Sequence, residues 1–247
     1  MVSESAIPCI IREIFFAPEG LQKESSLIEV ALTHHNNSNY QLAIQTYLKA
    51  QHTWMEAMQK NGTEMNVHEF IFFRLAIGSV YHSSGNDEMA LHEFVEAKRY
   101  SEEFVEKDHS DRALPYSCLG AVYFHLGQFD LAYSYFNRAR ELRLSLLGSA
   151  HIDTATDYNN IAVCMHQQEK YAEALKLYNK ALMIFKGELG PNHPRTTTVV
   201  RNITKTKNLY LKDFKFNMPT FTDTVLPIEK KKAKKKGKKG KKKKKKK

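Results

Sequence analysis

Glycine and proline are scarce, at eleven and seven of 247 residues. An all-β chain spends such residues on its many turns, so that class is excluded. Cysteine is scarcer still: Cys9, Cys118 and Cys164 are odd in number and far apart. That usage fits reduced thiols and offers no disulfide framework. There is no Cys-x-x-Cys, and His68-Glu69 and His92-Glu93 lack the second histidine of a His-Glu-x-x-His zinc motif. Neither Gly-x-x-x-x-Gly-Lys-Ser/Thr nor Gly-x-Gly-x-x-Gly occurs, so the phosphate-cradling loops are missing too. Nowhere do eighteen apolar residues run together, which excludes a transmembrane helix of ordinary length. Glu4, Arg12 and Glu13 break up the first twenty residues, so no secretory leader is expected. An intracellular chain follows, in which the Asn-x-Ser/Thr triplets at Asn36, Asn61 and Asn202 carry no glycan. These absences predict a protein that is no enzyme and takes no cofactor or metal.

What is present is a core. At 42% hydrophobic and 11% aromatic residues the chain buries enough to fold, so disorder throughout is excluded. The net charge of +10 is a sum of two opposite parts. Residues 230–247 hold fifteen lysines; without them, 22 basic residues face 27 acidic ones, leaving residues 1–229 at about −5.

A repeat organises the middle of the chain. Tyr116, Leu119, Gly120, Tyr123, Ala132, Phe136 and Ala139 form a frame, numbered here as positions four, seven, eight, eleven, twenty, twenty-four and twenty-seven. Forty-two residues earlier the frame falls on Arg74, Ile77, Gly78, Tyr81, Ala90, Phe94 and Ala97. Forty-two later it falls on Tyr158, Ile161, Ala162, Met165, Ala174, Tyr178 and Ala181. A shift of 47 upstream of the second frame gives Leu27, Val30, Ala31, His34, Ala43, Tyr47 and Ala50, and a half-frame closes at Val200 and Ile203. Positions four to eleven make one face of a first helix, and positions twenty to twenty-seven one face of a second. Turn residues separate them at 36–39, 83–87, 126–130 and 167–170. Small residues at eight and twenty let the two helices of a hairpin approach, while larger ones at eleven and twenty-four are expected to fill the groove between successive hairpins. A lone hairpin cannot cover its apolar face, so the units must stack into a solenoid.

These residues resemble the tetratricopeptide repeat, and the period of 42 resembles the longer kinesin-light-chain-like variety. The likeness is densest from Leu146-Leu-Gly-Ser-Ala-His-Ile-Asp-Thr-Ala-Thr-Asp-Tyr-Asn-Asn-Ile-Ala162 to Leu189-Gly-Pro-Asn-His-Pro194. No sustained heptad precedes the repeats, so it extends to the repeats and not to a whole kinesin light chain. It implies an all-α, right-handed superhelical solenoid of about four hairpins with a C-terminal capping helix. Residues 1–23 read as an N-terminal extension whose 7–16 run packs on the first hairpin. The array reads as 24–212, with repeats starting near 24, 71, 113 and 155 and the capping helix from 197. Residues 213–229 read as a linker and 230–247 as a disordered poly-Lys tail.

The resemblance also locates a groove, lined by positions two, five, six and nine of each first helix. In this chain the residues assigned to peptide binding are Phe72, Leu75, Leu114, Cys118, Thr156, Asn159, Asn160, Val163, Arg201 and Asn202. Asn160 and Asn202 share position six, where an amide can donate to and accept from a bound backbone at once. Position two reads Ser25, Phe72, Leu114, Thr156 and Thr198 with no cation, which argues against the carboxylate-holding chaperone adaptors. His35, His82 and His166 fall at position twelve and His125 at thirteen. They are expected to be polar groove and turn residues, too far apart across successive repeats for two imidazoles to share one metal. His109, His151 and His193, 42 apart, are expected to cap or orient the next helix.

The tail is the second interaction element. Lysine without arginine or aromatics neutralises phosphate or carboxylate but reads no base, and Lys230, Lys231, Lys232, Lys234, Lys235 and Lys236 begin that run. The function expected is a scaffold or adaptor that binds a partner peptide in the groove and an acidic polymer through the tail. Tubulin tails are favoured, with RNA, DNA or anionic lipid as other polyanions. The place expected is the cytoplasm, at the cytoskeleton or cilium. The alternative is a nucleic-acid-associated scaffold directed to RNA or chromatin in the nucleus.

Overall fold

A computed structural model describes residues 25–107 and 109–216. The expectations for the N-terminal extension, for the linker beyond 216 and for the lysine tail lie outside the described residues. Among the described residues there are nine α-helices and no strand: α1 (Ser25–Asn36), α2 (Tyr40–Asn61), α3 (Val67–Ser83), α4 (Asp87–Phe104), α5 (Leu114–His125), α6 (Phe129–Leu147), α7 (Ile152–Gln167), α8 (Tyr171–Glu188) and α9 (Pro194–Phe216). A short 3₁₀ turn, Ser110–Ala113, leads into α5. Each helix packs on the next in sequence, and α3 also touches α5 and α7 touches α9. The result is an all-α solenoid of four hairpins closed by α9.

One turn chemistry joins every hairpin. At position fifteen the backbone is left-handed: Ser38 (φ 60°), Gly85 (82°), Gly127 (75°) and Glu169 (62°). There the N–H donates to the carbonyl of position twelve, as in Gly85 to His82 at 3.0 Å and Gly127 to Phe124 at 3.0 Å. A side chain in that conformation costs roughly 1–2 kcal/mol, which glycine avoids in two of the four turns.

Inside the second and third hairpins, glycine at position eight meets an aromatic ring at position twenty-four. A Cβ on Gly78 would lie 2.6 Å from Phe94 Cε1, and one on Gly120 2.8 Å from Phe136 Cδ1. The expectation that position twenty-four fills the space between hairpins is corrected here. The missing side chain leaves a seat that the ring of the same hairpin occupies.

Helix ends also depart from the frame. α3, α7 and α9 begin three or four residues ahead of 71, 155 and 197, because caps lie upstream. Asn66 Oδ1 accepts from the His68 N–H at 3.0 Å, His151 Nδ1 from the Asp153 N–H at 3.2 Å and His193 Nδ1 from the Arg195 N–H at 3.2 Å. His151 and His193 therefore cap as the resemblance implied. At the other end α9 continues to Phe216, into the stretch read as linker. Nothing breaks a helix before Pro219, and the restriction that proline imposes reaches only the residue ahead of it.

The first helices form the inner layer. In α3 every residue from Phe70 to Val80 is buried except Arg74, whereas α4 buries only Ala90, Glu93, Phe94, Ala97 and Ser101. Hairpins interlock through a pair of positions that the frame did not single out. Position thirty-one, on the second helix, is Trp54, Ser101, Arg143 or Phe185, all buried. Position three of the following hairpin is Phe73, Pro115, Asp157 or Val199, again all buried. Trp54 and Phe73 rings lie 5.6 Å apart, Arg143 meets Asp157, and Phe185 shares a core cluster with Val199.

Candidate functional site

The residues assigned to the groove separate into a closed part and an open part. Phe72, Leu75 and Cys118 are buried in the main core, because neighbouring first helices pack closely enough to cover positions two, five and six. Burial pushes the Cys118 and Cys164 thiols up to about 12, so neither is nucleophilic near neutral pH. Thr156 is buried and its hydroxyl donates to the Ile152 carbonyl at 3.2 Å. Leu114 and Val163 remain half-buried against the core. Arg201 is exposed and donates to Thr198 Oγ1 at 3.1 Å.

The structure brings the three asparagines together at the α7–α9 edge. Asn202 Nδ2, half-buried, donates to Asn159 Oδ1 at 3.3 Å. Asn159 Nδ2 donates in turn to Asn160 Oδ1 at 3.4 Å. Asn160 Nδ2 is buried and meets no acceptor among the described residues. This chain of amides therefore runs inward and ends on a donor with nothing to receive it, a condition that folded proteins avoid.

One turn before Asn160 lies a polar cluster that sequence reasoning missed. Arg143 Nη1 donates to Asp157 Oδ1 at 2.6 Å and to Ser117 Oγ at 2.9 Å. The cluster joins α5, α6 and α7 in the interior. Burial pushes Asp157 up to about 6, against the opposing pull of Arg143 and Ser117. The available signal was a pair of charges in two columns otherwise apolar or small.

The position-twelve histidines act between hairpins. His35 Nε2 shares a hydrogen bond with Ser83 Oγ at 2.8 Å, and His166 Nδ1 with Thr206 Oγ1 at 2.8 Å. Burial lowers the pKa of both rings. His82 and His125 meet on one carboxylate, Asp87, with ring centroids 5.3 Å apart. The expectation that imidazoles of successive repeats lie too far apart to share a metal is thus overturned for this pair. Their helices end side by side, and both side chains turn to the same residue at the start of α4.

Comparison with known proteins gives this architecture its family. The tetratricopeptide-repeat model matches residues 111–187 and, again, residues 158–215. Residues 111–215 carry tetratricopeptide repeats. The fold is similar to that of the nearly identical TPR-like repeats of a Podosopora anserina protein described as a kinesin light chain. That structure is 16% identical, covers 80% of this chain and 91% of its own, and superposes with a TM-score of 0.62. A signal-transduction ATPase with a tetratricopeptide-repeat sensor from Pyrococcus horikoshii matches at 14% identity and a TM-score of 0.56, over 84% of this chain and 32% of that one. BtubC (BKLC) from P. vanneervenii matches at 14% identity and 0.50, over 92% and 100%. No curated protein matches by sequence. At these identities the solved structures speak for the fold. Tetratricopeptide repeats generally serve as non-catalytic scaffolds for protein–protein interaction, and no helix among the described residues is long and apolar enough to cross a membrane.

Proposed function

We propose that this chain is a non-catalytic adaptor that holds an extended partner peptide at the C-terminal end of its inner surface. The observation that carries the reading is the amide chain from Asn202 through Asn159 to Asn160, which ends on an unreceived donor. A peptide carbonyl supplies the missing acceptor. Leu114 and Val163 offer apolar contact beside it, and Arg201 stands exposed at the entrance. Asn159 and Asn160 are as buried as Phe72 and Leu75, so the peptide reaches the Asn160 amide by way of the half-buried Asn202 as that side chain turns outward. Peptides selected on the full chain from a random library should lose binding to a variant carrying both Asn160→Ala and Asn202→Ala, while its helicity and Tm stay close to those of the parent. Undiminished affinity in that variant would remove the asparagines from the site.

The lysine tail adds a second contact. Fifteen lysines in residues 230–247, set against a body near −5, suit a polyanion bound by counterion release. The reading favours the acidic tails of tubulin, and with them a place in the cytoplasm at the cytoskeleton or cilium. What supports it is the separation of charge and the kinesin-light-chain-like period. Co-sedimentation with microtubules should require residues 230–247 and survive added RNA; pelleting abolished by RNA would favour the nucleic-acid-associated scaffold instead.

A further inference from the structure

Along one edge of the array, three of the four junctions are tied by a histidine at position twelve; the third hairpin carries Phe124 there. Between the first and second hairpins, and between the fourth and α9, the tie is one imidazole and one hydroxyl: His35 with Ser83, and His166 with Thr206. Between the second and third the pattern changes. The residue at position thirteen is His125 instead of Ser83, and Asp87 reaches in from the start of α4. His82 Nδ1 lies 2.7 Å from Asp87 Oδ1, and His125 Nδ1 lies 2.6 Å from Asp87 Oδ2. The rings stand at 88° to each other. One ligand atom from each of the three residues lies within 4.8 Å of the others, and no other group of three such residues among those described comes as close.

We propose that His82, Asp87 and His125 form a site for one zinc-class divalent cation that bridges the second and third hairpins. Two imidazole nitrogens and one carboxylate oxygen make a donor set that zinc accepts, with a fourth position left to water. Zinc–nitrogen and zinc–oxygen bonds of about 2.0–2.2 Å in tetrahedral array need donor separations of roughly 3.3 Å. The present 2.6 and 2.7 Å contacts open to that distance by small side-chain rotations. Both Nδ1 atoms face carboxylate oxygens and so donate a proton there. When the ion binds, that proton leaves Nδ1 for solvent, Nε2 carries the one N–H that each ring keeps, and the Nδ1 lone pair turns to the ion.

The setting is prepared on one side and open on the other. The side chains of His82 and Asp87 are 9% and 10% exposed, and that of His125 is 51% exposed. The turn between His82 and Asp87 is fixed by three backbone hydrogen bonds: Ser84 N–H to Val80 at 2.9 Å, Gly85 N–H to His82 at 3.0 Å and Asn86 N–H to Tyr81 at 2.9 Å. Two ligands thus arrive already placed on one hairpin, and the third comes from its neighbour with a face toward water. An ion held this way staples the two hairpins, whereas the outer junctions rely on a neutral hydrogen bond.

Zinc chloride titrated calorimetrically into the tag-free full chain tests the proposal, with cobalt chloride as the spectroscopic probe. One zinc ion should bind per chain with a micromolar or tighter Kd, and cobalt should give the visible absorption of a tetrahedral nitrogen–oxygen site. At zinc about a hundredfold above Kd, the Tm should rise by roughly 5–10 °C. His125→Ala removes a half-exposed ring and Asp87→Asn keeps side-chain size; each should weaken zinc binding tenfold or more with helicity retained. His68→Ala is the control, because His68 forms a separate histidine pair with His109, ring centroids 4.6 Å apart, and should bind as the parent does. Absence of saturable binding to the parent would overturn the proposal. So would zinc affinity unchanged in both His125→Ala and Asp87→Asn, or lost in His68→Ala.

Discussion

Between the first and second hairpins, Trp54 lies against Phe73 with ring centroids 5.6 Å apart, and its indole N–H donates to Glu69. Between the third and fourth hairpins, the same two positions hold Arg143 and Asp157 at 2.6 Å. The aromatic pair gains directly from leaving water. The ionic pair must first surrender its hydration, several kcal/mol per ion, and recovers it only through close geometry and further hydrogen bonds. Arg143 has a second acceptor in Ser117 Oγ, while Asp157 Oδ2 meets no donor among the described residues. A solenoid junction therefore specifies a volume to be filled, and the polarity of the filling decides how that junction answers to pH and to substitution.

The sharpest way to break this comparison is to take one member from each pair. Trp54→Ala opens a cavity beside Phe73 and should cost about 3–5 kcal/mol. Arg143→Ala strands a buried carboxylate and should cost about as much, roughly 3–5 kcal/mol. The two junctions part company when both members are made apolar: Arg143→Met with Asp157→Leu should unfold within about 1 kcal/mol of the parent, or above it. Guanidinium unfolding followed by circular dichroism measures all three. A double variant as unstable as Arg143→Ala would mean that the ion pair gives more than it costs.

Proton linkage sharpens the contrast further. Asp157 sits at about 6, above its ordinary 3.8, because it is buried. Between those values the native state keeps a proton that the unfolded chain has released, so this group's stabilisation is full below about pH 4 and is lost as pH rises through 6. The parent should thus lose on the order of 3 kcal/mol relative to Asp157→Asn between those limits. Parallel pH profiles for the two proteins would show that the carboxylate titrates normally. Inside a hairpin the effect of a single change is more modest: Gly120→Leu should cost roughly 1–3 kcal/mol by pushing on the Phe136 ring. A Tm equal to the parent's would mean that the ring swings aside.

How much of this was legible in the sequence depended on chemical sameness. Position eight repeats as glycine or alanine and position twenty as alanine, so the hairpins could be read from spacing. Position thirty-one repeats as tryptophan, serine, arginine and phenylalanine, a set with no shared character, so the interlock between hairpins escaped the same search. The asparagines at position six were visible as a pair and Asn159 as a groove residue beside them, and the structure adds the hydrogen bonds that link the three. The closure of the inner surface over Phe72, Leu75 and Cys118 depends on the distance between neighbouring first helices, which no residue pattern records. The meeting of His82, Asp87 and His125 was missed because numbering keeps His125 38 residues from Asp87 and 43 from His82.

The interlock between positions thirty-one and three has a further meaning while the chain is being synthesised. Residues emerge in order, and domains made of neighbour contacts begin to fold from the N-terminal side. A newly released second helix presents its position thirty-one side chain to water until the next hairpin follows. Trp54 waits as an adhesive patch for Phe73, nineteen residues later. Arg143 waits for Asp157, fourteen residues later, as a soluble cation. The junction that costs more in the finished array is the one that leaves its nascent end least prone to stick to another chain.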